Sequence, residues 1–593
     1  MPSIPWRAIP LISLALAYVS VWREPEWSVW QLLSTFATTW TFQVVCWAVW
    51  AMLLWPKYFS PLRDLPEPSG NSFLFGQFHR IMAEPSGIPH REWATTIPND
   101  GLIRYLGPFN QERLLVTNPK TLAEVLVTRS YDFVKPADVQ HALSRVVGAG
   151  LLLTEGDEHR FQRKKLMPAF AFRHVKDLYP VFWDKGREAV EAMAEHITAR
   201  GSPPSEQADL ERNEKRSSAV IEIGDWASRA TLDIIGVAGL GKDFGTIRDP
   251  DTELSRTYRS LFSPSKQAQR LALLTLLLPN WLVSRLPVKR NDDIASASGY
   301  IRSVCRDLIR EKREKMQAAR SSGAGREEEK PGAASAAPDV DILSVALESG
   351  AFSDENLIDQ LMTFLAAGHE TTATSMTWAV YLLARHPDVQ SRLRREVREH
   401  LPSPAADPNS ATVSSAEIDR LPYLNAVCSE VLRYFSPVPV TMREAVPGAT
   451  IRGRRIPPGT RVVLAPWATN RDPALWGADA DEFRPERWLQ GQARAADDRD
   501  NQDGAADGKK HGSGGGASSN YAFLTFLHGP RSCIGQAFAR AEFACLLACW
   551  AGRFEFALRD EAERDERNIA IKAGATAKPS AGMYVHATLV GGW

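Results

Sequence analysis

One cysteine of this sequence stands in a loop that could hold a reactive thiolate. Cys533 follows a Gly-Pro turn and comes just before a predicted helix that begins at Gln536. Backbone amides at a helix start and the nearby cation of Arg531 both favour the ionised form of a thiol. Gly535 has no Cβ, so a flat ligand could approach the backbone closely, and Phe526 could pack against that ligand. The spacing therefore indicates a thiolate ligand beside a flat bound group.

The other cysteines do not complete a sulfur cluster. The chain has six, Cys46, Cys305, Cys428, Cys533, Cys545 and Cys549, and none forms a Cys-x-x-Cys pair. Neither a disulfide framework nor a zinc cluster is therefore predicted. A single thiolate suits iron in a macrocycle better than zinc, which takes several protein ligands. The alternative is that Cys533 is an ordinary buried thiol, as is predicted for Cys428, Cys545 and Cys549.

A second group of polar residues interrupts a long apolar helix. Ser353 is a suitable N-cap, and the sequence from Asp354 to Arg385 has helical periodicity throughout. Near its middle, Glu370 and Thr371 stand in an otherwise apolar stripe. A carboxylate next to a hydroxyl can bend a helix, hold water and pass protons into a dry pocket. The alternative is a kinked core helix whose threonines are satisfied locally.

Charged residues form pairs on two other predicted helices. Glu430 and Arg433 stand three residues apart on a helix from about Leu421 to Phe435, so they face the same side. Their neighbours are apolar, which predicts that the pair is buried. A buried arginine needs bidentate partners, and it fixes geometry more than it adds stability.

The predicted helix Gly156–Leu166 carries two basic pairs. His159 and Arg163 stand four residues apart, and Arg160 and Lys164 form a second pair about 100° away around the helix. One pair can therefore face the carboxylates of a bound group while the other pair faces solvent.

Taken in chain order, these segments resemble the motifs of the cytochrome P-450 family. The family's F-x-x-G-x-R-x-C-x-G pattern is matched by Phe526, Gly529, Arg531, Cys533 and Gly535. Its A/G-G-x-D/E-T-T pattern is matched by Ala367, Gly368, Glu370, Thr371 and Thr372. The segment Phe483–Trp488 resembles the family's P-E-R-F/W motif, which makes Arg487 the third member of a structural cluster with Glu430 and Arg433. The resemblance covers the chain from about Arg63 to its end.

The resemblance implies a haem site. Iron protoporphyrin IX would be held by Cys533 as the axial thiolate, and Glu370 and Thr371 would deliver protons as the catalytic pair. The other residues that it implies at the haem are His159, Arg163, Arg443, Phe526, Arg531 and Gly535. The family usually has a tryptophan where this chain has His159, and that departure keeps a ring N–H donor.

The implied fold is mainly α with a small β region, behind an N-terminal membrane anchor. The implied activity is that of a monooxygenase of the eukaryotic microsomal, fungal-like type, acting on an apolar small molecule in secondary metabolism. Electrons would come from a separate NADPH-dependent flavoprotein reductase, since no GxGxxG unit follows a predicted strand. Two rival functions stay open: an oxygen-independent haem-thiolate isomerase or dehydratase, and a non-catalytic haem-binding sensor.

The N-terminus is rich in tryptophan and reads as a membrane anchor. No charged residue occurs from Trp27 to Trp55, and about 20 apolar residues span a bilayer. The best window is about Phe36–Trp55. An earlier apolar run, Ala8–Trp22, could be half of a hairpin, an interfacial helix or part of a signal anchor. The basic residues that follow the anchor are Lys57, Arg63 and Arg80, which predicts a cytosolic body. The resemblance implies that the membrane is that of the endoplasmic reticulum.

Composition places the rest of the chain in one large domain. Lys plus Arg and Asp plus Glu are 70 each in 593 residues, so no basic excess points to nucleic acid. We expect residues 1–60 to form the anchor and 61–593 the catalytic domain, with a β-hairpin at Gly101–Thr117. Three polar segments are predicted to be disordered: Gly201–Ser217, Ala318–Pro338 and Gln490–Ser519. The apolar run Leu271–Leu286 is predicted to line the substrate pocket or to rest on the membrane.

Overall fold

The computed structural model describes residues 5–22, 28–200, 217–262, 266–321, 341–404, 412–489, 515–571 and 574–593. The three segments with a disorder-prone composition lie outside these residues except at their edges, 217, 318–321 and 515–519. Within the described residues the chain is mostly helical with small sheets, as the sequence predicts. Its contacts divide it into two compact units.

The first unit consists of residues 1–84, 89–134 and 441–465 and is built around a five-stranded sheet. The strands follow the order β1-β2-β8-β5-β3. Their bounds are β1 Leu102–Leu106, β2 Glu112–Val116, β3 Phe133–Val134, β5 Thr441–Ala445 and β8 Arg461–Leu464. Strands β1 and β2 pair antiparallel with Leu102 opposite Val116, which confirms the predicted hairpin. A two-stranded ribbon, β6 Thr450–Ile451 with β7 Arg454–Arg455, completes the β structure of this unit.

The helices of the first unit include the N-terminal apolar segments. They are α1 Ala8–Trp22, α2 Val29–Val49, α3 Phe78–Ala83, α4 Ile88–Thr96, whose first residue belongs to the other unit, and α5 Pro119–Ala123. Helix α2 continues as π-helix through Trp50–Phe59. Among the described residues, this continuous helix Val29–Phe59 alone is long and apolar enough to cross a membrane, and α1 is shorter. The predicted anchor is therefore a helix, with a second apolar helix ahead of it.

The second unit consists of residues 85–88, 135–440 and 466–593 and holds most of the helices. The first are α6 Ala137–Val147, α7 Gly156–Leu166, α8 Phe172–Val175, α9 Tyr179–Arg200, α10 Ile223–Ile234, α11 Glu253–Phe262, α12 Lys266–Leu274, α13 Asn280–Val283 and α14 Lys289–Ser321. The later ones are α15 Ile342–Glu348, α16 Asp354–Arg385, α17 Pro387–His400, α18 Ser415–Asp419, α19 Pro422–Tyr434, α20 Pro466–Thr469, α21 Pro473–Trp476 and α22 Gln536–Arg553. Its sheet has the order β4-β10-β9, with bounds Ser218–Glu222, Tyr584–Leu589 and Phe554–Leu558.

Helix α16 is the central element of the second unit. Its N-cap Ser353 accepts a hydrogen bond from the Asn356 amide, and the helix ends before His386-Pro387 because proline cannot continue it. Its 32 residues make a rod about 48 Å long. Nearly every residue from Leu357 to Ala384 is buried, so neighbouring helices cover α16 on all sides.

Candidate active site

The loop that carries Cys533 is shaped by its backbone. Leu527 and Gly529 both have positive φ, 56° and 77°, which turns the chain back on itself. The Cys533 amide then donates to the Phe526 carbonyl at 2.9 Å, and the Ser532 amide donates to the Gly529 carbonyl at 3.0 Å. These bonds hold the cysteine at the start of α22.

The Cys533 side chain lies below the protein surface without being fully packed. Protein atoms surround it, yet it keeps accessible surface. Burial raises the pKa of the Cys533 thiol, while a hydrogen bond from the Gly535 amide and the charge of Arg163 act in the opposite direction. Because burial is the larger effect, an ionised Cys533 would need a further positive charge beside it.

Helix α7 supports the cysteine loop from one side. The Arg163 guanidinium donates to the Ser532 carbonyl at 2.7 Å and to the Ser532 hydroxyl at 3.3 Å. His159 is buried on the same side of α7, whereas Arg160 and Lys164 are exposed. The two basic pairs of this helix thus face opposite environments, as their spacing predicts.

Arg531, two residues before the cysteine, is a buried cation. It forms an ion pair with Glu155, the residue immediately before α7. Glu155 also accepts a 2.8 Å hydrogen bond from the Lys135 amide. Glu155 could not be identified from the sequence, because nothing in its local pattern marks it as the partner of Arg531, which lies 376 residues further along the chain.

Helix α16 presents one accessible position in a long buried run. Ala367 is exposed although its neighbours on the helix are buried, and Thr371, one turn later, is half-buried. The Thr371 hydroxyl donates to the Ala367 carbonyl at 2.9 Å. Ala367 and Thr371 therefore face an internal space on one side of α16.

A phenylalanine places that side of α16 close to the cysteine loop. The Phe170 ring contacts the Phe364 ring of α16 with centroids 5.4 Å apart. The same ring lies 3.8 Å from the position that a Cβ on Gly535 would take. Helices α16 and α22 also meet at Glu542 of α22, which is fully buried next to the Thr372 hydroxyl of α16. Burial raises the pKa of the Glu542 carboxyl well above its usual value. Helices α16 and α22 therefore bring the two predicted motifs together.

Glu370 points away from Thr371 and into a different cavity. Its carboxylate accepts hydrogen bonds from the Thr576 hydroxyl and the Lys578 ammonium, both at 2.8 Å. The cavity has a volume of about 240 Å³ and is lined largely by polar side chains, among them Glu222, Asp225 and Ser228. The acid is thus held by residues near the C-terminus that no local spacing could have predicted.

The side chains of Glu430, Arg433 and Arg487 form a cluster that is almost fully buried. Arg433 donates to both Glu430 oxygens at 2.8 Å, Arg487 donates at 3.0 Å, and the indole of Trp488 donates at 2.9 Å. Burial alone would raise the pKa of the Glu430 carboxyl, but the Arg433 hydrogen bond and the charges of Arg433 and Arg487 outweigh it and lower the pKa. The Glu430 carboxylate therefore stabilises the fold fully at pH values above the usual pKa of a glutamate. This stabilisation is lost as the pH falls through the lowered pKa of Glu430.

A family model described as Cytochrome P-450 matches residues 66–583 of this chain. The chain belongs to the cytochrome P-450 family. It is 45% identical to the cytochrome P-450 monooxygenase FUM15 of Gibberella moniliformis over 98% of each chain. It is 46% identical to the monooxygenase ALT8 of Alternaria alternata over 92% of this chain and 93% of that one. It is 43% identical to the monooxygenase sphH of Aspergillus fumigatus over 98% of both. The protein is therefore a cytochrome P-450 monooxygenase, and the family implies a haem bound through a thiolate.

The residues around Cys533 fit a haem. The thiol side chain keeps accessible surface, and a Cβ on Gly535 would meet nothing closer than the Phe170 ring, so a flat group can lie against the backbone there. Across the described residues, no group of three or more His, Cys, Asp or Glu side chains could hold a metal ion by themselves. A metal bound by Cys533 would therefore take its other ligands from a macrocycle, as iron does in a P-450.

One predicted haem residue, Arg443, belongs to the first unit. Arg443 is buried on β5, where its guanidinium donates to the Met442 carbonyl at 2.9 Å and to the Thr441 hydroxyl at 3.3 Å. The remaining predicted residues belong to the second unit. Phe526 is half-buried there, and its ring lies tilted against the Phe523 ring with centroids 6.3 Å apart.

Replacing Arg433 with methionine should destabilise the P-450 strongly. The change leaves the fully buried Glu430 carboxylate without its bidentate partner, at a cost of about 3–5 kcal/mol. Arg392→Met is the matched control, because Arg392 forms an exposed ion pair with Glu486, and such pairs contribute about 0–1 kcal/mol. Denaturant titration of both variants in detergent measures the two changes. Equal effects would show that the Glu430 cluster is not a structural centre.

Lys578 should act on turnover through Glu370. We expect Glu370→Gln to lower the rate of product formation by about 10²-fold and Lys578→Met to lower it less. In the Glu370→Gln background, Lys578→Met should have no further effect, because the carboxylate that it holds is gone. Lys242→Met, which removes an exposed lysine paired with Glu311, is the control and should leave the rate unchanged. Independent, multiplying effects of Glu370→Gln and Lys578→Met would contradict the coupling.

Proposed function

We propose that this P-450 binds haem iron through Cys533 and oxidises an apolar small molecule of fungal secondary metabolism. The observation that carries the proposal is the Cys533 thiol, held at the start of α22 with accessible surface left on its side chain. Haem bound through a thiolate supplies reduction of dioxygen by two electrons, insertion of one oxygen atom into the substrate and release of the other as water. The relatives come from fungi, which supports a role in fungal metabolism.

In this proposal the residues of α16 control protons and water. Thr371 has its hydroxyl on the side of α16 that Ala367 leaves accessible, so it can accept and pass a proton there. Glu370 stands on the neighbouring side of the helix, within the polar cavity that also holds Lys578. In this proposal Glu370 takes up protons from this cavity, and Thr371 directs a proton on its own side of the helix.

Apolar side chains support an apolar substrate. Phe170 and Phe364 contact each other beside the cysteine loop, and the α6–α7 connection adds Leu152, which is exposed although Leu151 and Leu153 on either side are buried. Such walls exclude water, and they favour ligands with little hydrogen-bonding capacity.

Electrons would enter on the α7 side of the cysteine loop. Arg160 and Lys164 are exposed on the outer face of α7, while Arg163 on its inner face contacts Ser532 beside the cysteine. An acidic patch of an NADPH-dependent flavoprotein reductase could dock on these cations, with association that weakens in salt. This route places the electron donor close to Cys533.

We place the protein in the endoplasmic reticulum membrane with its catalytic unit in the cytosol. The apolar helix Val29–Phe59 is only slightly buried within the protein, so lipid is its natural environment. Within the predicted run Leu271–Leu286, the large apolar residues with exposed side chains are Leu273, Leu274, Leu277, Leu278, Trp281 and Leu282. These side chains support a second contact with lipid.

The retained Glu370–Thr371 pair favours oxygenation over the rival functions. A haem-thiolate isomerase or a haem sensor has no use for protons delivered to dioxygen, nor for a reductase-facing cationic surface. Substrate-dependent consumption of NADPH with a reductase present separates oxygenation from both rivals.

Thr371→Ala should uncouple NADPH consumption from product formation. Alanine removes the hydroxyl and suits a helix, so folding and haem content should survive. Product per NADPH should fall by about tenfold while hydrogen peroxide rises, because proton delivery loses its direction. Thr198→Ala is the matched control, since the Thr198 hydroxyl also donates to a carbonyl four residues earlier, that of Ala194 on α9, at 2.8 Å. Wild-type yield per NADPH in Thr371→Ala would show that Thr371 is a packing residue.

A further inference from the structure

The two apolar N-terminal helices pack against each other. Only six residues separate the end of α1 from the start of α2, so the helices run antiparallel. The buried residues of α1 are Ile9, Ser13, Ala17 and Val21, which recur every four residues along one face. Thr39 of α2 meets this face, with its hydroxyl 3.4 Å from the Ser13 carbonyl oxygen. Small residues at such a contact allow two helices to approach closely in lipid.

The outer faces of both helices are suited to lipid. Large apolar side chains that are about half exposed or more include Leu11, Ile12 and Leu14 on α1 and Leu33, Phe42 and Val45 on α2. Several hydroxyls on these helices are satisfied without water. The hydroxyls of Ser13, Ser20, Ser34 and Thr38 each donate to a carbonyl of their own helix. Internal hydrogen bonding of this kind is what a bilayer interior requires.

The register of the pair aligns tryptophans at two levels. Trp22 lies nine residues after Ser13, and Trp30 lies nine residues before Thr39, so the contact between Ser13 and Thr39 places these two tryptophans at one level. At the other end, Trp6 lies seven residues before Ser13, and Trp47 lies eight residues after Thr39.

The separation of the two levels fits a membrane. Trp30 and Trp47 are 17 residues apart on one helix, which is about 25 Å. The hydrocarbon layer of the endoplasmic reticulum is about 27 Å thick. Tryptophan prefers the two interfaces of a bilayer, so both helices have the arrangement of spanning segments.

The charges of the flanking segments differ between the two ends of the pair. Arg7 precedes α1, and Lys57 and Arg63 follow α2, so three basic residues are at one end. The connection between the helices carries Arg23 together with Glu24 and Glu26. Lys and Arg concentrate on the cytosolic side of membrane proteins, which assigns Arg7 and the residues after α2 to the cytosol.

We propose that α1 and α2 form a two-helix membrane hairpin, in which the segment ahead of α1 and the catalytic unit are both cytosolic. At 15 residues, α1 spans about 22 Å, and its interfacial Trp6 and Trp22 and the long side chain of Arg7 cover the few ångströms that remain. The hairpin rests on the membrane location given in the proposed function, but not on the haem chemistry.

Glycosylation mapping in sealed endoplasmic reticulum microsomes tests the hairpin on the full-length protein. One variant carries an epitope tag with an Asn-x-Ser acceptor ahead of Ala8. A second carries a long flexible insertion with the same acceptor between Glu24 and Pro25. The hairpin predicts that the insertion becomes glycosylated and that the tag does not. It also predicts that protease added outside the vesicles removes the tag without detergent.

Two results would overturn the hairpin. A glycosylated, protease-resistant tag would mean that α2 alone crosses and that α1 begins in the lumen. A cleaved tag with an insertion that is never glycosylated would mean that α1 does not cross. Alkaline extraction of the untagged protein tests the membrane location separately. A protein that alkali releases contradicts that location and the hairpin together, whereas a retained protein with the wrong glycosylation pattern contradicts the hairpin alone.

Discussion

An ionised sulfur inside a protein must be stabilised by its surroundings, and the arrangement around Cys533 meets that requirement in part. Burial works against the thiolate, while the Gly535 amide, the start of α22 and the charge of Arg163 work for it. Coordination to iron would remove the thiol proton outright. The loop, α7 and α22 are therefore needed together, because each supplies a favourable charge or dipole that the sulfur cannot obtain from water.

Three buried carboxylates show how differently the same fold treats charge. Glu430 has two arginines and an indole as donors, which makes it a fixed structural centre. Glu542 lies beside the Thr372 hydroxyl, and burial raises the pKa of its carboxyl well above the usual value. Glu370 is intermediate: its lysine partner is about one third exposed and both residues border a polar cavity. Glu370 is the one of the three with access to mobile protons.

Features set by local spacing could be predicted from the sequence. The bounds of α7 and α16, the hairpin of β1 and β2, and the pairing of Glu430 with Arg433 follow from helix periodicity, capping and turn signals. That Arg487 joins this pair was implied only by the resemblance to the family. Lys578 could not be predicted as the partner of Glu370, because the two are 208 residues apart and meet only through tertiary packing. The pairing of α1 with α2 also depends on a register between helices, so the sequence left several arrangements open.

The most direct measurement of the central claim is the absorption spectrum of the reduced protein with carbon monoxide. A thiolate opposite carbon monoxide moves the Soret band to long wavelength, so wild-type protein should show that band. Cys305→Ala and Cys428→Ala, which remove buried thiols elsewhere, should keep it. Cys533→Ser should lose it, because the hydroxyl cannot supply the thiolate. A long-wavelength band that persists in Cys533→Ser would contradict the assignment of Cys533 as the iron ligand.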